Sequence, residues 1–447
     1  MSNQTQERAH KNMSRRQFLG AASALGAFTV VPSGVLAGGG ASPSDTLNLA
    51  FAGAGGIAWS NLQSCDSQNI VALCDVDSNR AQEAFNEYPE AKKYADYRRM
   101  IDEMRDTIDA VVVSTPDHTH AVISSRAMKE GLHVHTEKPL THTIWEARQL
   151  RKIADETGVV AQMGNEGHSE DSVRRCREYV EGGALGPVRE IHCWTDRPKG
   201  WWPQGEVDTP TRSVPDHLEW DLWLGPAKER DYSPAYLPFK WRGFRDFGTG
   251  AFGDMGCHIM DMPFYALQLG HPVRAEASTT KVFPETYPER SIVRYEFPPK
   301  DGRPEVTFYW YSGHMKPNLP ESVPDGTDLP SNGCMLVGDE GALISGVYGE
   351  NARIYPESRM DQFRDTPKKF ERVGMSHFEA WFEAIRGDGR PPSDFDYATR
   401  LTETVLVGTV AIKAGRPIEW DGEAMEVTNV PDANRYVRRE YRDGWSL

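Results

Sequence analysis

Leu47-Asn48-Leu49-Ala50-Phe51-Ala52-Gly53-Ala54-Gly55-Gly56-Ile57-Ala58 decides how the first half of this 447-residue chain is read. A short, mostly apolar run fits a strand, and the glycines after it fit G-x-G-x-x-[GA] at the opening of a helix. In that setting Gly53 allows a tight turn, Gly55 lets the backbone approach a pyrophosphate, and small Ala58 permits close helix–strand packing. Gly56 and Ile57 would open the helix whose N-terminus meets the phosphates. The pattern alone is weak, but its context strengthens it. A second apolar run at 70–73 leads to Asp75, 22 residues after Gly53. A carboxylate there would accept hydrogen bonds from the ribose hydroxyls of a dinucleotide.

Working outward, apolar runs at 110–114, 133–136 and 159–162 alternate with helical stretches beginning near Ile57, Ser78, His120 and Ile144. This rhythm predicts βαβ units in a doubly wound parallel sheet, an α/β Rossmann domain over 46–165. From about Gly186 the pattern changes to alternating strands at 188–194, 275–282, 291–297, 305–311, 335–337 and 342–345, several joined by short polar turns. They predict an α+β domain over 166–430 with a large, mostly antiparallel open sheet, followed by a tail at 431–447 without clear periodicity. Two late helices are expected at 376–386 and 397–414.

Net charge is −15. Residues 1–37 hold four Lys/Arg against one Asp/Glu, so the remainder carries 46 basic and 64 acidic side chains, a net −18. That field argues against nucleic acid and other polyanions as partners. After Ala37 no apolar run approaches the roughly 18 residues that span a bilayer, so membrane insertion is not expected. The six cysteines lack CxxC spacing, which points to neither a zinc ribbon nor a disulfide framework.

Ser14-Arg15-Arg16-Gln17-Phe18-Leu19-Gly20, a modestly apolar stretch at 21–35, and small Ala37 and Gly38 together resemble a twin-arginine export signal. The resemblance implies a signal over 1–37, a linker over 38–45, passage of the precursor through the twin-arginine machinery, and a periplasmic or otherwise exported product. Export of a folded protein suits one that acquires a dinucleotide before leaving the cytoplasm. An amphipathic N-terminal helix with a chance arginine pair is the alternative.

Two further segments fall at the carboxyl ends of expected parallel strands, where open α/β sheets place their ligands: Thr115-Pro116-Asp117-His118-Thr119-His120 and Glu137-Lys138-Pro139. Pro139 restricts Lys138 to an extended backbone, so its amine would project over a bound nicotinamide. With the glycine motif, these segments resemble the glucose–fructose oxidoreductase/inositol dehydrogenase/MocA family over nearly the whole chain after the signal. The resemblance implies an NAD(P)-dependent oxidoreductase moving a hydride between nicotinamide and a hydroxyl-bearing carbon of a sugar, glycoside or cyclitol. It also directs attention to an Asp and a His four residues apart in the second domain, here Asp254 and His258 in Gly253-Asp254-Met255-Gly256-Cys257-His258, with Asp261 three residues on.

Residues i and i+4 share a helix face, so Asp254 and His258 would reach one pocket with Lys138. His258 suits the base, Lys138 would stabilise the developing alkoxide, and Asp254 would orient substrate or lysine. An Asp/His pair can also ligate metal, but with the lysine present no metal is expected. Expected cofactor contacts are Gly53, Gly55, Gly56, Ile57, Asp75, Thr115, Pro116, His118, His120, Glu137, Lys138 and Asn165. His118 and His120 could instead cap the following helix. Gln162 and His168 border the same junction, and Asn165 is the choice among the three. The Asp75 carboxylate favours NAD over NADP, although Arg80 leaves room for NADP, and the cofactor is expected to be held tightly.

The stretch 195–250 is long, irregular and rich in Pro and Trp. Six tryptophans between 194 and 241 are interleaved with Arg197, Lys199, Arg242 and Arg245. Aromatic faces with cationic and carboxylate partners suit saccharides, so Lys138, Arg197, Trp202, Trp241, Arg242, Asp254 and His258 are the expected substrate residues. Burial as core is the competing reading for any one tryptophan. The family likeness further implies a homodimer or homotetramer built through the open sheet. The alternative activity is redox-neutral glycoside cleavage, in which a retained cofactor oxidises the sugar, elimination follows, and the product is re-reduced. A binding protein with a dead site is the non-enzymatic reading.

Overall fold

The computed structural model describes residues 46–447; the expected signal and linker lie outside the described residues. The first layer runs β1 (Asn48–Ala52), α1 (Ile57–Ser64), β2 (Asn69–Cys74), α2 (Gln82–Glu87), β3 (Lys92–Tyr94), α3 (Tyr97–Met104), β4 (Ala110–Val113), α4 (Asp117–Lys129), β5 (His133–Glu137), α5 (Ile144–Thr157) and β6 (Ala161–Gly164). Its six strands are parallel, in the order β3-β2-β1-β4-β5-β6. Chain order runs outward in opposite directions from β1 and β4, so the loops leaving these two strands diverge and open a crevice at their carboxyl ends. Central β1 and β4 are covered on both faces, which is why they read as continuous apolar runs.

Two departures from the sequence expectation lie here. The helix expected near Ser78 starts at Gln82, because the Asp77 side chain accepts the backbone N–H groups of Asn79 and Arg80 and turns the chain first. The β3–α3 pair was not expected at all. Strand β3 is a three-residue edge, Lys-Lys-Tyr, that carries no apolar run, although Asp96 caps α3 through the Arg98 N–H.

The second layer contains α6 (Asp171–Glu181), β7 (Val188–Trp194), α7 (Trp220–Leu224), α8 (Gly250–Ile259), α9 (Asp261–Leu267), β8 (Arg274–Thr279), β9 (Ser291–Phe297), β10 (Val306–Ser312), β11 (Gly333–Gly338), β12 (Ala342–Ser345), β13 (Arg353–Tyr355), α10 (Glu357–Phe363), α11 (His377–Arg386), α12 (Phe395–Ala414), β14 (Ile418–Asp421) and β15 (Glu426–Val427). Nine strands form one sheet in the order β13-β12-β11-β7-β10-β9-β8-β14-β15, antiparallel except for the β7–β10 pair. Strands β9 and β10 alternate strictly between buried and half-buried residues. Their inner face, including Tyr295 and Trp310, packs on α8 and α12: Phe252 stacks on Trp310 at 4.7 Å and the Tyr295 hydroxyl donates to the Thr404 carbonyl at 2.9 Å. Helix α12 is buried along most of its length because it touches both layers, α5 on one side and α8, β8 and β9 on the other. A helix so placed is buried nearly all round, and its polar side chains Thr399, Thr402, Glu403, Thr404 and Thr409 are buried with it.

The expected tail is not loose. Residues 431–436 form a short 3₁₀ turn, Ala433 and Val437 are buried, and the Val437 carbonyl accepts the Trp145 N–H at the start of α5.

Candidate active site

The turn after β1 is built as its glycines require. Gly53 has φ +89°, and a Cβ there would sit 2.6 Å from the Ser114 carbonyl oxygen at the end of β4. Only glycine allows the two diverging loops to approach this closely. Asp75 fixes the turn from β2: its Oδ2 accepts the Ala54 N–H at 2.9 Å and its Oδ1 accepts the Asp77 N–H at 2.9 Å. Burial pushes the Asp75 carboxyl upward, and these backbone donors oppose the rise. Gly56 precedes α1 without a side-chain cap, and apart from the Trp59 N–H, which donates to the Gly56 carbonyl at 3.1 Å, the first-turn N–H groups are placed to meet an anion.

A groove opens above these loops. Gly53, Gly55, Gly56, Ile57, Asp75, Thr115 and Pro116 line its floor. Its opposite wall comes from the irregular stretch of the second layer, through Trp223, Phe239, Trp241 and Arg242. That stretch has its own apolar cluster around Trp223, Tyr236, Phe244 and Phe247. It is tied down near Asp75, where the Glu219 N–H donates to the Val76 carbonyl at 2.8 Å and His217 lies 3.0 Å from Asp77.

Lys138 and Asn165 leave the carboxyl ends of adjacent strands, since Glu137 pairs with Gly164 across β5 and β6. The Lys138–Pro139 bond is cis. Lys138 Nζ donates to Asp254 Oδ1 at 3.1 Å and to the Asp254 carbonyl oxygen at 2.9 Å. Asp254 also receives Arg242 Nε at 3.1 Å and the Arg197 guanidinium. Burial alone would raise the Asp254 carboxyl, but Lys138, Arg242 and Arg197 hold it well below the ordinary carboxylate range. Asp254 is therefore a fixed anion and an orienting group.

His258 lies one turn further along α8, on the same face. Burial, reinforced by the Lys138 cation, pushes its imidazole well below the usual histidine value, so the ring is neutral. Its Nδ1 is buried without a hydrogen-bond partner, and its ring meets Tyr348 edge-on at 5.5 Å. Both amide atoms of Asn165 are likewise buried and unpartnered. Unused polar atoms of this kind are costly unless something else binds them, and here they belong to residues beside the lysine. Glycine loop, ribose carboxylate, groove and orphaned polar atoms all fit a bound dinucleotide and a polar substrate.

Other expected site residues take different positions. His118 is fully buried outside the groove: its Nδ1 lies 3.2 Å from the Phe247 carbonyl and its Nε2 3.0 Å from the Trp223 carbonyl. His120 bridges two loops, 2.9 Å from the Pro139 carbonyl and 2.8 Å from the Thr115 carbonyl. These histidines neither cap α4 nor line the groove; they tie the groove's walls together. Glu137 turns beneath the groove, where Asn61 Nδ2 donates to it at 2.8 Å. Gln162 is committed to the His377 carbonyl and His168 to Asp261. Trp202 is buried, its indole N–H donating to Gln204 Oε1 at 3.0 Å. Trp241 and Arg242 line the groove, and Arg242 also reaches Asp254. Trp194 is core, while exposed Trp201 lies under the Arg197 guanidinium at 3.8 Å.

Sequence reasoning missed Asn61, Tyr348 and Trp445, and held Trp223 only as one of six tryptophans without choosing it. Asn61 carried a signal, a polar residue on the covered face of an otherwise apolar helix turn. Tyr348 lies in a turn with no recognisable motif, and Trp445 in a segment with no period. Among the described residues no cluster of His, Cys, Asp or Glu is arranged to hold a metal ion, and all six cysteines are buried and unpaired.

Comparison with known proteins agrees with this geometry. Residues 47–165 match the Gfo/Idh/MocA model described as an oxidoreductase family NAD-binding Rossmann fold, and 170–298 match that family's C-terminal alpha/beta domain. A levoglucosan dehydrogenase of Pseudarthrobacter phenanthrenivorans is 24% identical over 46% of this chain and 45% of its own. An inositol 2-dehydrogenase of Salmonella typhimurium is 25% identical over 33% of this chain and 45% of its own. The chain spans about half the length of the curated relatives it matches. Among solved structures, the WlbA dehydrogenase of Bordetella pertussis with NADH and UDP-GlcNAcA superposes with a TM-score of 0.59 at 15% identity, covering 84% of this chain and 99% of the other. An inositol dehydrogenase homologue of Azotobacter vinelandii with NADH and myo-inositol gives 0.54 at 19% identity, covering 84% and 98%. These structures share the fold. An NAD-binding Rossmann domain followed by the matching alpha/beta domain makes this chain a member of the Gfo/Idh/MocA oxidoreductase family.

Proposed function

We propose that the chain is an NAD-dependent oxidoreductase acting on a hydroxyl-bearing carbon of a sugar, glycoside or cyclitol. One observation carries the reading: Lys138, held by Asp254, stands at a strand end beside a neutral histidine with an unpartnered ring nitrogen, and Arg242, which holds the same Asp254, lines the glycine-loop groove. Relatives named for levoglucosan and inositol, both polyhydroxylated rings, support the substrate class.

Gly53, Gly55, Asp75, Thr115 and Pro116 would hold a dinucleotide, and when bound its nicotinamide supplies the hydride acceptor. The chain's own groups handle the proton. His258, neutral because burial and Lys138 disfavour its charged form, accepts the proton of the reacting hydroxyl. The Lys138 ammonium stabilises the oxygen as negative charge develops, and Asp254 keeps that ammonium in place without titrating. Asn165 offers an amide donor and acceptor for a further hydroxyl or for the nicotinamide. The Asp75 carboxylate disfavours a 2′-phosphate, which supports NAD over NADP.

Export through the twin-arginine pathway and assembly into a homodimer or homotetramer through the open face of the nine-stranded sheet belong to the same reading. Redox-neutral glycoside cleavage with a retained cofactor is a second reading that uses the same hydride chemistry. Incubation with a panel of sugars, cyclitols and glycosides, followed by mass spectrometry, tests both. A ketone two hydrogens lighter than its parent supports oxidation, and aglycone release without net reduction supports cleavage. Neither product from any polyhydroxylated ring would overturn both.

A further inference from the structure

Residues 437–447 are not used by the mechanism above, yet they are anchored with unusual care. Arg439 Nε donates to Glu146 Oε1 at 2.9 Å, and the Tyr441 hydroxyl donates to the same oxygen at 2.6 Å. Glu146 is itself locked in the capping box of α5. Arg442 then crosses to α7, donating to the Gly225 carbonyl at 2.6 Å and to Asp221 Oδ1 at 2.5 Å. Three residues on, Trp445 reaches the groove and lines it beside Asp96 and Tyr97. The Arg98 guanidinium, fixed on Asp96 at 2.7 Å, lies 4.7 Å from the indole centroid, and the Tyr97 ring is 6.3 Å away.

The position decides which part of a ligand Trp445 meets. The groove wall that holds Asp75, Asp77 and Asp96 follows β2 and β3, the end that receives the adenosine half in a sheet wound this way. An indole tied into a wall by cation–π contact presents a large, rigid, mostly apolar surface to a purine. We propose that Trp445 is a dinucleotide-binding residue that closes the adenosine end of the groove, and that residues 437–447 form a strap which must release before the dinucleotide exchanges. The proposal rests on the dinucleotide reading above and extends it to a segment outside both matched domain models.

The test follows NAD itself on the full chain. Equilibrium binding by calorimetry and dissociation by dilution-chase fluorescence are compared for the parent protein, Trp445→Ala, Trp445→Phe and Arg442→Ala, with thermal melting of the ligand-free proteins as the folding check. Loss of an aromatic surface against a base is expected to speed dissociation on the order of tenfold in Trp445→Ala. Trp445→Phe should recover most of it, and Arg442→Ala, which removes the strap's bonds to Gly225 and Asp221 and the guanidinium 5.7 Å from the Trp445 ring centroid, should shift dissociation in the same direction. Dissociation within about twofold of the parent in both alanine variants, with parental melting, would overturn the strap while leaving the dinucleotide reading intact. A parent protein that binds no NAD would instead overturn that reading and the strap with it.

Discussion

Lys138 Nζ lies 3.1 Å from Asp254 Oδ1 and 2.9 Å from the Asp254 carbonyl oxygen, so one residue of α8 engages the lysine through both its side chain and its backbone. The lysine comes from the Rossmann sheet and the aspartate from the second layer, which makes this contact the hinge between the cofactor and substrate halves of the site. Arg197 and Arg242 share the same carboxylate. Asp254→Asn would leave three cations without the carboxylate they share. It is expected to lower kcat about 100-fold and to destabilise the fold by about 3 kcal/mol. Parallel turnover and denaturant-unfolding measurements check both halves; an unaltered kcat would remove Asp254 from the mechanism.

His258 is expected to act as the base in its neutral form. Its value is depressed well below 6.5, so the neutral form persists as pH falls through 6.5 and the acid limb of kcat/KM lies below that pH. His258→Gln should lose about 10²- to 10⁴-fold in kcat and that limb with it. A wild-type limb centred at or above 6.5 would contradict the assignment.

Asp75 links cofactor choice to the glycine turn. NAD is expected to exceed NADP in kcat/KM by at least about tenfold, and Asp75→Ala should narrow the ratio. Because Asp75 also holds the Ala54 N–H, the variant should weaken NAD itself. Steady-state kinetics with both dinucleotides give the answer, and equal use of the two by the parent protein would refute the preference.

Acid sensitivity should carry a contribution from His118, beside those of His135, His142 and His377, which burial also lowers. Burial, with help from Arg439, lowers the His118 value to about 3, while the unfolded chain titrates near 6.5. The unfolded state therefore binds the proton first as pH falls. Stability contributed by neutral His118 is complete above 6.5 and is lost progressively toward pH 3, by up to about 5 kcal/mol. Denaturant melts across pH 7 to 4.5 should show a shallower decline in His118→Phe than in the parent; identical slopes would argue that other groups dominate.

How much of this was legible in the sequence varies by the physics behind each feature. Strands β1 and β4 announced themselves because burial on both faces forces an apolar run, and Gly53 because no other residue tolerates its φ against Ser114. Lys138 was singled out by the Glu-Lys-Pro segment at a strand end, and Asp254 and His258 by the family resemblance, with the helix spacing consistent with it. The structure brings Lys138 to Asp254, yet the arginines completing the Asp254 cluster gave no local signal tying them to it. Arg197 and Arg242 lie 57 and 12 residues from Asp254, in irregular chain. Tryptophan content was less specific: of Trp202 and Trp241, both expected at the substrate, one is buried with its N–H on Gln204 and the other lines the groove. His118 and His120 were ambiguous because a histidine beside a strand end looks alike whether it meets a ligand or two carbonyls. Trp445 was invisible, since its place depends on tertiary anchors at Glu146 and Asp221 rather than on periodicity.

The most direct test of the central claim is the nicotinamide absorbance of the NAD-loaded protein on addition of polyhydroxylated substrates, with Lys138→Met run alongside. The account predicts that at least one such substrate reduces the bound nicotinamide in stoichiometric amount in the parent protein, and that the variant binds NAD but reduces it slower by about 10²-fold or more. Reduction at equal rates in both proteins would contradict the account.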